Sequence, residues 1–169
     1  MTLKKLTTLS LFTALSLIIF TLESLLPPLA PIPGIKLGLA NIITLILLRN
    51  YSVKDTALVL IARILLSAFF SGQAISLIYS LAGGLASLII MALFNRLLNG
   101  HYVFLTSITG GIAHNLGQLL IAFLITQVPG VLMYLPFLIL SGMLTGLFTG
   151  LCAHFAQKYL MPVINRRMP

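Results

Sequence analysis

Acidic side chains are almost missing from this sequence: its 169 residues contain two, Glu23 and Asp55, against ten Lys and Arg. Magnesium-dependent diphosphate chemistry normally needs several carboxylates to hold the metal ions, so two are too few for it. The sequence also lacks an H-E-x-x-H pattern and a Walker A pattern. We therefore expect no catalytic residue and no ATP hydrolysis by this chain itself.

Cysteine is equally scarce, because Cys152 is the only one. A single thiol excludes an intramolecular disulfide and a thiolate metal cluster. The sequence thus predicts no metal site and no cofactor held by this chain.

Charge of either sign is rare. Charged residues make up 7% of the chain and hydrophobic residues 59%, with a mean hydropathy of +1.13. A soluble domain covers its core with a surface that is roughly a quarter or more charged, which this composition cannot supply. The net charge of +8 lies at the ends of apolar stretches, where it meets lipid headgroups. We predict a multi-pass protein of the cell (plasma) membrane and no binding of nucleic acid.

Long apolar stretches define the fold class. A membrane-spanning helix needs about 20 apolar residues. Bounded by charge, Pro or Gly, the stretches predict an all-α integral membrane protein with one transmembrane domain over residues 1–169. Its six spans are predicted at residues 6–26, 34–48, 56–70, 73–98, 104–126 and 131–159, the second and third being short.

Basic residues indicate the orientation of the spans. With the N-terminus inside, all but two of the Lys and Arg residues fall in cytoplasmic segments, in agreement with the positive-inside rule. These are Lys4, Lys5, Arg49, Lys54, Arg96, Lys158, Arg166 and Arg167. Lys36 falls outside and Arg63 falls within a span. We expect both termini in the cytoplasm.

The first outer loop is rich in proline, at Pro27, Pro28, Pro31 and Pro33. Proline fixes φ and removes amide donors, so this loop is predicted not to be helical. Two interpretations stay open: a rigid connector, or a lid or re-entrant segment that lines a cavity.

Glycine recurs every fourth residue at Gly142, Gly146 and Gly150, which places these positions on one helical face. Such spacing favours close helix packing, either inside the bundle or at a seam with another chain.

Polar residues within or beside the spans are the main functional signal, because ionisable groups in a bilayer are costly and usually face a cavity or each other. On a helix, His114, Asn115 and Gln118 share about a third of the circumference. We predict an outward-facing ligand site whose members are Glu23, Lys36, Asn41, Arg63, His114, Asn115 and Gln118.

Each of these residues also has a purely structural interpretation. Glu23 and Arg63 could form a buried ion pair that fixes helix register. His114 and Asn115 could form hydrogen bonds between helices, and Lys36 could extend to the headgroups.

Two motifs carry a resemblance to a known family: P-G-I-K-L-G-L-A-N at 33–41 and G-G-I-A-H-N-L-G-Q at 110–118. With them the chain resembles the Gx transporter family, commonly labelled heptaprenyl diphosphate synthase component I, from about Leu6 to Tyr159. That family is similar to the S components of energy-coupling factor transporters. The resemblance implies a six-helix bundle that binds a small vitamin-, flavin- or isoprenoid/quinone-precursor-like solute near the outer surface.

The same resemblance implies partners. A transmembrane coupling protein and two cytoplasmic ATPases would supply the motor, so ATP would be used by the partner module. S components often carry Ala-x-x-x-Ala in the first helix for docking. The nearest match here, Ser10-x-x-x-Ala14, departs from that pattern.

The synthase label suggests an alternative. Polyprenyl diphosphate synthases resemble one another in aspartate-rich D-D-x-x-D motifs, and this chain has no Asp-Asp pair. The alternative is therefore a noncatalytic membrane accessory of heptaprenyl diphosphate synthase, with a soluble prenyltransferase as its partner.

Overall fold

The structure is a computed structural model, and it describes residues 2–25, 36–72, 74–162 and 164. Every regular element in these ranges is helical, which confirms the all-α prediction. The α-helices are α1 Leu3–Ser24, α2 Asn41–Asn50, α3 Val53–Ser71, α4 Ala74–Leu97, α5 Val103–Thr126 and α6 Leu135–Phe155. A 3-10 segment, Pro129–Tyr134, precedes α6, and a π-helical segment, Ala156–Leu160, follows it. The proline-rich loop, Arg166 and Arg167 lie outside the described residues.

Four described stretches are long and apolar enough to cross a membrane: Leu3–Ser24, Ala74–Leu97, Val103–Thr126 and Pro129–Leu160. Large apolar side chains on their outer faces are exposed, for example Leu144 at 70%. A bilayer would cover this surface, because soluble proteins rarely expose contiguous apolar patches of this extent. The chain is therefore a membrane protein, whereas six spans, one domain and cytoplasmic termini stay predictions.

The second predicted span, 34–48, differs most from the structure. Helix α2 begins at Asn41, and its ten residues extend about 15 Å, half of a hydrocarbon core of about 30 Å. Residues 36–38 are not helical, and Gly38 has a φ of +82°, which a helix excludes. The helix starts late because the amides just before it are bound elsewhere.

Local signals explain where the longer helices begin and end. The Thr2 side chain accepts the Lys5 amide at the start of α1. Ser52 and Asp55 form a reciprocal capping box at the start of α3. Gly72, at a φ of +64°, ends α3 in the left-handed conformation.

Helix α2 lies at the centre of the bundle. It contacts α1, α3, α4, α5 and α6, and Leu45 and Leu47 within it are fully buried. Phe12 of α1, Ile64 of α3 and Met91 of α4 belong to the same apolar cluster. The short helix thus forms the apolar core of one half of the bundle.

The glycine series of α6 faces α5 of the same chain. A Cβ added at Gly146 would lie 2.6 Å from the Ile108 Cα, and one added at Gly142 would lie 2.9 Å from the Ile112 Cα. Ser107 and Thr149 hydrogen-bond across this contact at 2.7 Å. Of the two interpretations left open, the structure favours packing inside the bundle, because α5 already occupies the glycine face.

Candidate functional site

Glu23, near the end of α1, has its carboxylate bound to backbone. Its oxygens accept the Gly38 amide at 2.7 Å and the Leu39 amide at 2.9 Å, and the side chain is 5% exposed. These amides stand just before α2, where the helix dipole favours a negative charge. Glu23 therefore ties α1 to the start of α2.

Arg63, in the middle of α3, is 3% exposed, and its Nε has no hydrogen-bond partner within the described part of the chain. No contact ion pair with Glu23 is found there either, so the alternative interpretation of a register-fixing ion pair is not what these residues form. The aromatic ring of Phe20 lies 5.2 Å from the guanidinium. The negative charge of Glu23 attracts the guanidinium without a direct contact. The unsatisfied Nε leaves one buried donor free for a ligand or water.

Lys36 lies at the entrance to the region between α1 and α5. Its ammonium is 3.5 Å from the centre of the Phe20 ring and donates a hydrogen bond to Ser24 Oγ. Its backbone amide donates to Gln118 Oε1 at 3.1 Å. Lys36 is half-buried, so its charge can act on a group inside the bundle.

His114 and Gln118 form a pair on α5, with 3.0 Å between their Nε2 atoms. An amide nitrogen only donates, so the His114 Nε2 accepts, and the neutral ring carries its proton on Nδ1. Because Gln118 also accepts from Lys36, it links the loop before α2 to the histidine.

The two asparagines differ from each other. Asn41, at the start of α2, is 2% exposed, and both polar atoms of its amide lack partners within the described residues. Asn115 donates to the Leu138 carbonyl at 2.8 Å, which joins α5 to α6. Its ligand role stays a prediction, and the structure gives it an interhelical hydrogen bond.

These side chains enclose a small cavity, which we call the central cavity. It is lined by Phe20, Glu23, Lys36, Gly38, Ala40, Arg63, Ser80, His114 and Gln118. Its volume of about 10 Å³ is room for about one water molecule. Five of the seven predicted site residues line it, while Asn41 lies beside Gly38 and Asn115 points to α6. Two cations and one carboxylate give the cavity a positive formal charge.

Sequence reasoning missed Phe20, Gly38, Ala40 and Ser80. Phe20 precedes Glu23 by three residues, so helical spacing places both on one face of α1. Gly38 lies inside the first motif that carried the resemblance. For Ser80 the sequence offers no signal, since serine is common in membrane helices.

A family model described as heptaprenyl diphosphate synthase component I matches residues 12–156. The chain belongs to this heptaprenyl diphosphate synthase component I family. The match runs from α1 into the π-helical segment and includes every residue that lines the central cavity. No curated protein and no solved structure matches the chain significantly.

The predicted docking pair of the first helix lies on its outer face. Ser10 and Ala14 are both exposed and one helical turn apart, and α1 packs mainly on α3 with its other side. Another helix could reach this face without disturbing the bundle. Docking at Ser10 and Ala14 stays a prediction.

Proposed function

We propose that this member of the component I family is a membrane-embedded solute-binding subunit of an energy-coupling-factor-like transport system. Its solute is a small anionic molecule of the vitamin, flavin or isoprenoid/quinone-precursor type. A transmembrane coupling protein and two cytoplasmic ATPases would drive the transport with ATP, and Ser10 and Ala14 would lie at the contact with the coupling protein.

One observation supports this function above all others: the buried guanidinium of Arg63 lines the central cavity, and its Nε has no hydrogen-bond partner in the described part of the chain. A charge-assisted hydrogen bond to a carboxylate or phosphate would supply that partner. The unpartnered amide of Asn41 and the nearby ammonium of Lys36 offer further donors.

The size of the central cavity places a condition on this proposal. Drug-sized ligands occupy pockets of about 300–1,000 Å³, and the cavity holds about 10 Å³. A solute therefore enters only after side chains at the cavity move apart. The arrangement described here corresponds to a closed form of the site.

The test is affinity purification from native membranes in mild detergent, with mass spectrometry of the co-purifying proteins and retained small molecules. We expect a coupling protein, paired ATPases and a retained anion. Arg63→Ala should lose the anion and keep the proteins. Arg96→Ala, which removes an exposed arginine at the end of α4, should keep both. Equal retention of the anion by the wild type, Arg63→Ala and Arg96→Ala would contradict the proposed site.

The alternative is a noncatalytic accessory of heptaprenyl diphosphate synthase, and the family description favours it. At the end of the bundle that carries the α4–α5 loop, Arg49, Asn95, Asn99 and Gly100 line an open polar pocket of about 290 Å³. Arg49 donates to the Gly100 carbonyl there, and its Nε has no partner within the described residues. A soluble prenyltransferase would meet this surface.

A separate measurement distinguishes the alternative. If the accessory function holds, a prenyltransferase co-purifies without ATPases, and Arg49→Ala lowers the yield of long prenyl diphosphate in membranes. Arg63→Ala would then leave that yield unchanged. The opposite pattern would contradict the accessory function.

A further inference from the structure

A second space lies next to the central cavity, between α1 and α3. It is a groove of about 220 Å³ lined by Leu17, Phe20, Thr21, Ser24, Ser67 and Phe70. We call it the lateral groove. Thr21, Ser24 and Phe70 are exposed, so the groove opens to the outside of the bundle, where a bilayer would supply acyl chains rather than water.

Phe20 is the wall that the two spaces share, since it lines both. The ammonium of Lys36 lies 3.5 Å from the centre of its ring and the guanidinium of Arg63 5.2 Å. Lys36 also donates to Ser24 Oγ, and Ser24 lines the groove. Positive charge thus lies directly behind one aromatic ring, at the inner edge of an apolar groove.

This juxtaposition fits one class of molecule. The central cavity is lined by cationic side chains but is too small for a solute, whereas the lateral groove is larger but has mostly apolar walls. A ligand that uses both needs a compact anionic head and an apolar body. Pockets for drug-sized ligands start at about 300 Å³, and the lateral groove is smaller than that. It therefore fits one short chain or ring system better than the two tails of a phospholipid.

We infer that the solute is a single-tailed amphiphilic anion that reaches the site from the lipid side. Its carboxylate or phosphate pairs with Arg63 and Lys36, and its apolar body lies in the lateral groove once the Phe20 ring turns aside. This inference rests on the proposed function, because it assumes the anion site at Arg63.

The experiment uses the full chain in lipid nanodiscs, with octyl phosphate and inorganic phosphate as radiolabelled probes. Binding to empty nanodiscs is subtracted to remove partition into lipid. We expect octyl phosphate to bind at least about tenfold more tightly than inorganic phosphate, a difference of about 1.4 kcal/mol. Equal binding of the two probes would overturn the inference.

A substitution that fills the lateral groove should weaken the binding of octyl phosphate but not that of inorganic phosphate. Thr21→Trp places a large side chain in the lateral groove from an exposed position, so octyl phosphate binding should fall about tenfold while inorganic phosphate binding stays unchanged. Thr7→Trp is the matched control, because Thr7 is also exposed on α1 and makes the same hydrogen bond to its own helix. Unchanged octyl phosphate binding in Thr21→Trp would overturn the inference.

A second pair of variants keeps the test independent of how Thr21→Trp folds. Phe70→Ala removes one wall of the groove and should weaken octyl phosphate binding. Phe69→Ala should not, since Phe69 is also highly exposed and does not line the groove.

Two further outcomes identify which proposal fails. If Arg63→Ala weakens both probes but the groove variants weaken neither, the anion site stands and the inference is wrong. If Arg63→Ala weakens neither probe, the proposed function itself fails. Displacement of octyl phosphate by a two-tailed phosphatidate as strongly as by unlabelled octyl phosphate would make the groove a lipid site and overturn the inference.

Discussion

The central cavity and the α5–α6 glycine contact both lie between apolar helices, but their buried polar groups differ in whether they have hydrogen-bond partners. In the contact, backbones approach closely, and Ser107 and Thr149 satisfy each other. At the cavity, Arg63 and the neighbouring Asn41 are just as buried, but the Arg63 Nε and both polar atoms of the Asn41 amide lack partners within the described residues. The satisfied pair indicates a permanent structural contact, whereas the unsatisfied groups at the cavity leave hydrogen bonds open for water or a ligand.

The largest effect is expected at the glycine contact. Gly146→Ala places a Cβ 2.6 Å from the Ile108 Cα and 2.8 Å from the Ser107 carbonyl oxygen, and these backbone atoms can yield only if the helices separate. We expect a loss of about 3 kcal/mol in the free energy of unfolding, measured by denaturation in mixed micelles. Gly130→Ala is the control, because its nearest neighbour is a side-chain atom 3.8 Å away. Similar losses in both variants would remove the distinction between the two regions.

An effect of opposite sign is expected at the cavity. Arg63→Met replaces a buried cation that makes no contact ion pair and has an unsatisfied Nε by an apolar side chain of similar length. This replacement should raise the free energy of unfolding by about 2 kcal/mol in the same assay. Anion binding should be lost at the same time. Arg96→Met should change neither property, because Arg96 is exposed. A destabilised Arg63→Met would mean that the arginine is structural and that the cavity resembles the glycine contact.

A smaller loss is expected for Asn115→Ala. This variant removes the hydrogen bond to the Leu138 carbonyl, which should cost about 1 kcal/mol of unfolding free energy. Anion binding should stay within about twofold of the wild-type value, since a hydrogen bond between helices acts on stability. Loss of binding without loss of stability would instead return Asn115 to the ligand site that the sequence predicts.

The smallest effect belongs to the ion pair between Lys5 and Asp55, which lies before the predicted third span. Hydrogen bonds from Lys5 and Ser52 hold the pKa of the Asp55 carboxyl below its ordinary value of 3.8. The pKa of this carboxyl is thus lower in the folded state than in the unfolded state. The ion pair therefore contributes its full stability at a pH above the unfolded-state pKa, and this contribution is lost as the pH falls through the folded-state pKa. Asp55→Asn should flatten the stability profile below about pH 4, and an unchanged profile would contradict this assignment.

The helices were largely predictable from the sequence. Predicted spans 73–98 and 104–126 agree with α4 and α5 to within a residue at each end, because a long apolar stretch must satisfy its own backbone as a helix. Helix α2 begins at Asn41, later than the predicted start of the second span. The residues just before α2 give no local sign that the amides of Gly38 and Leu39 are bound by the distant carboxylate of Glu23.

The candidate site was predicted in part. Rare ionisable residues in apolar stretches revealed Glu23, Lys36 and Arg63, since such residues are costly wherever they are not needed. The partners of these residues were not revealed. Glu23 and Arg63 have opposite charges and suggested an ion pair, yet the carboxylate binds amides of the loop before α2.

By itself the sequence determined a helical membrane protein with a few ionisable residues in its apolar stretches, because hydropathy and helical period act over neighbouring residues. Only the tertiary structure decided that Phe20 separates a charged cavity from an apolar groove, and that Gln118 reaches Lys36 across 82 positions of the chain. Contacts between distant residues depend on how all the helices pack together, and no local pattern encodes that packing.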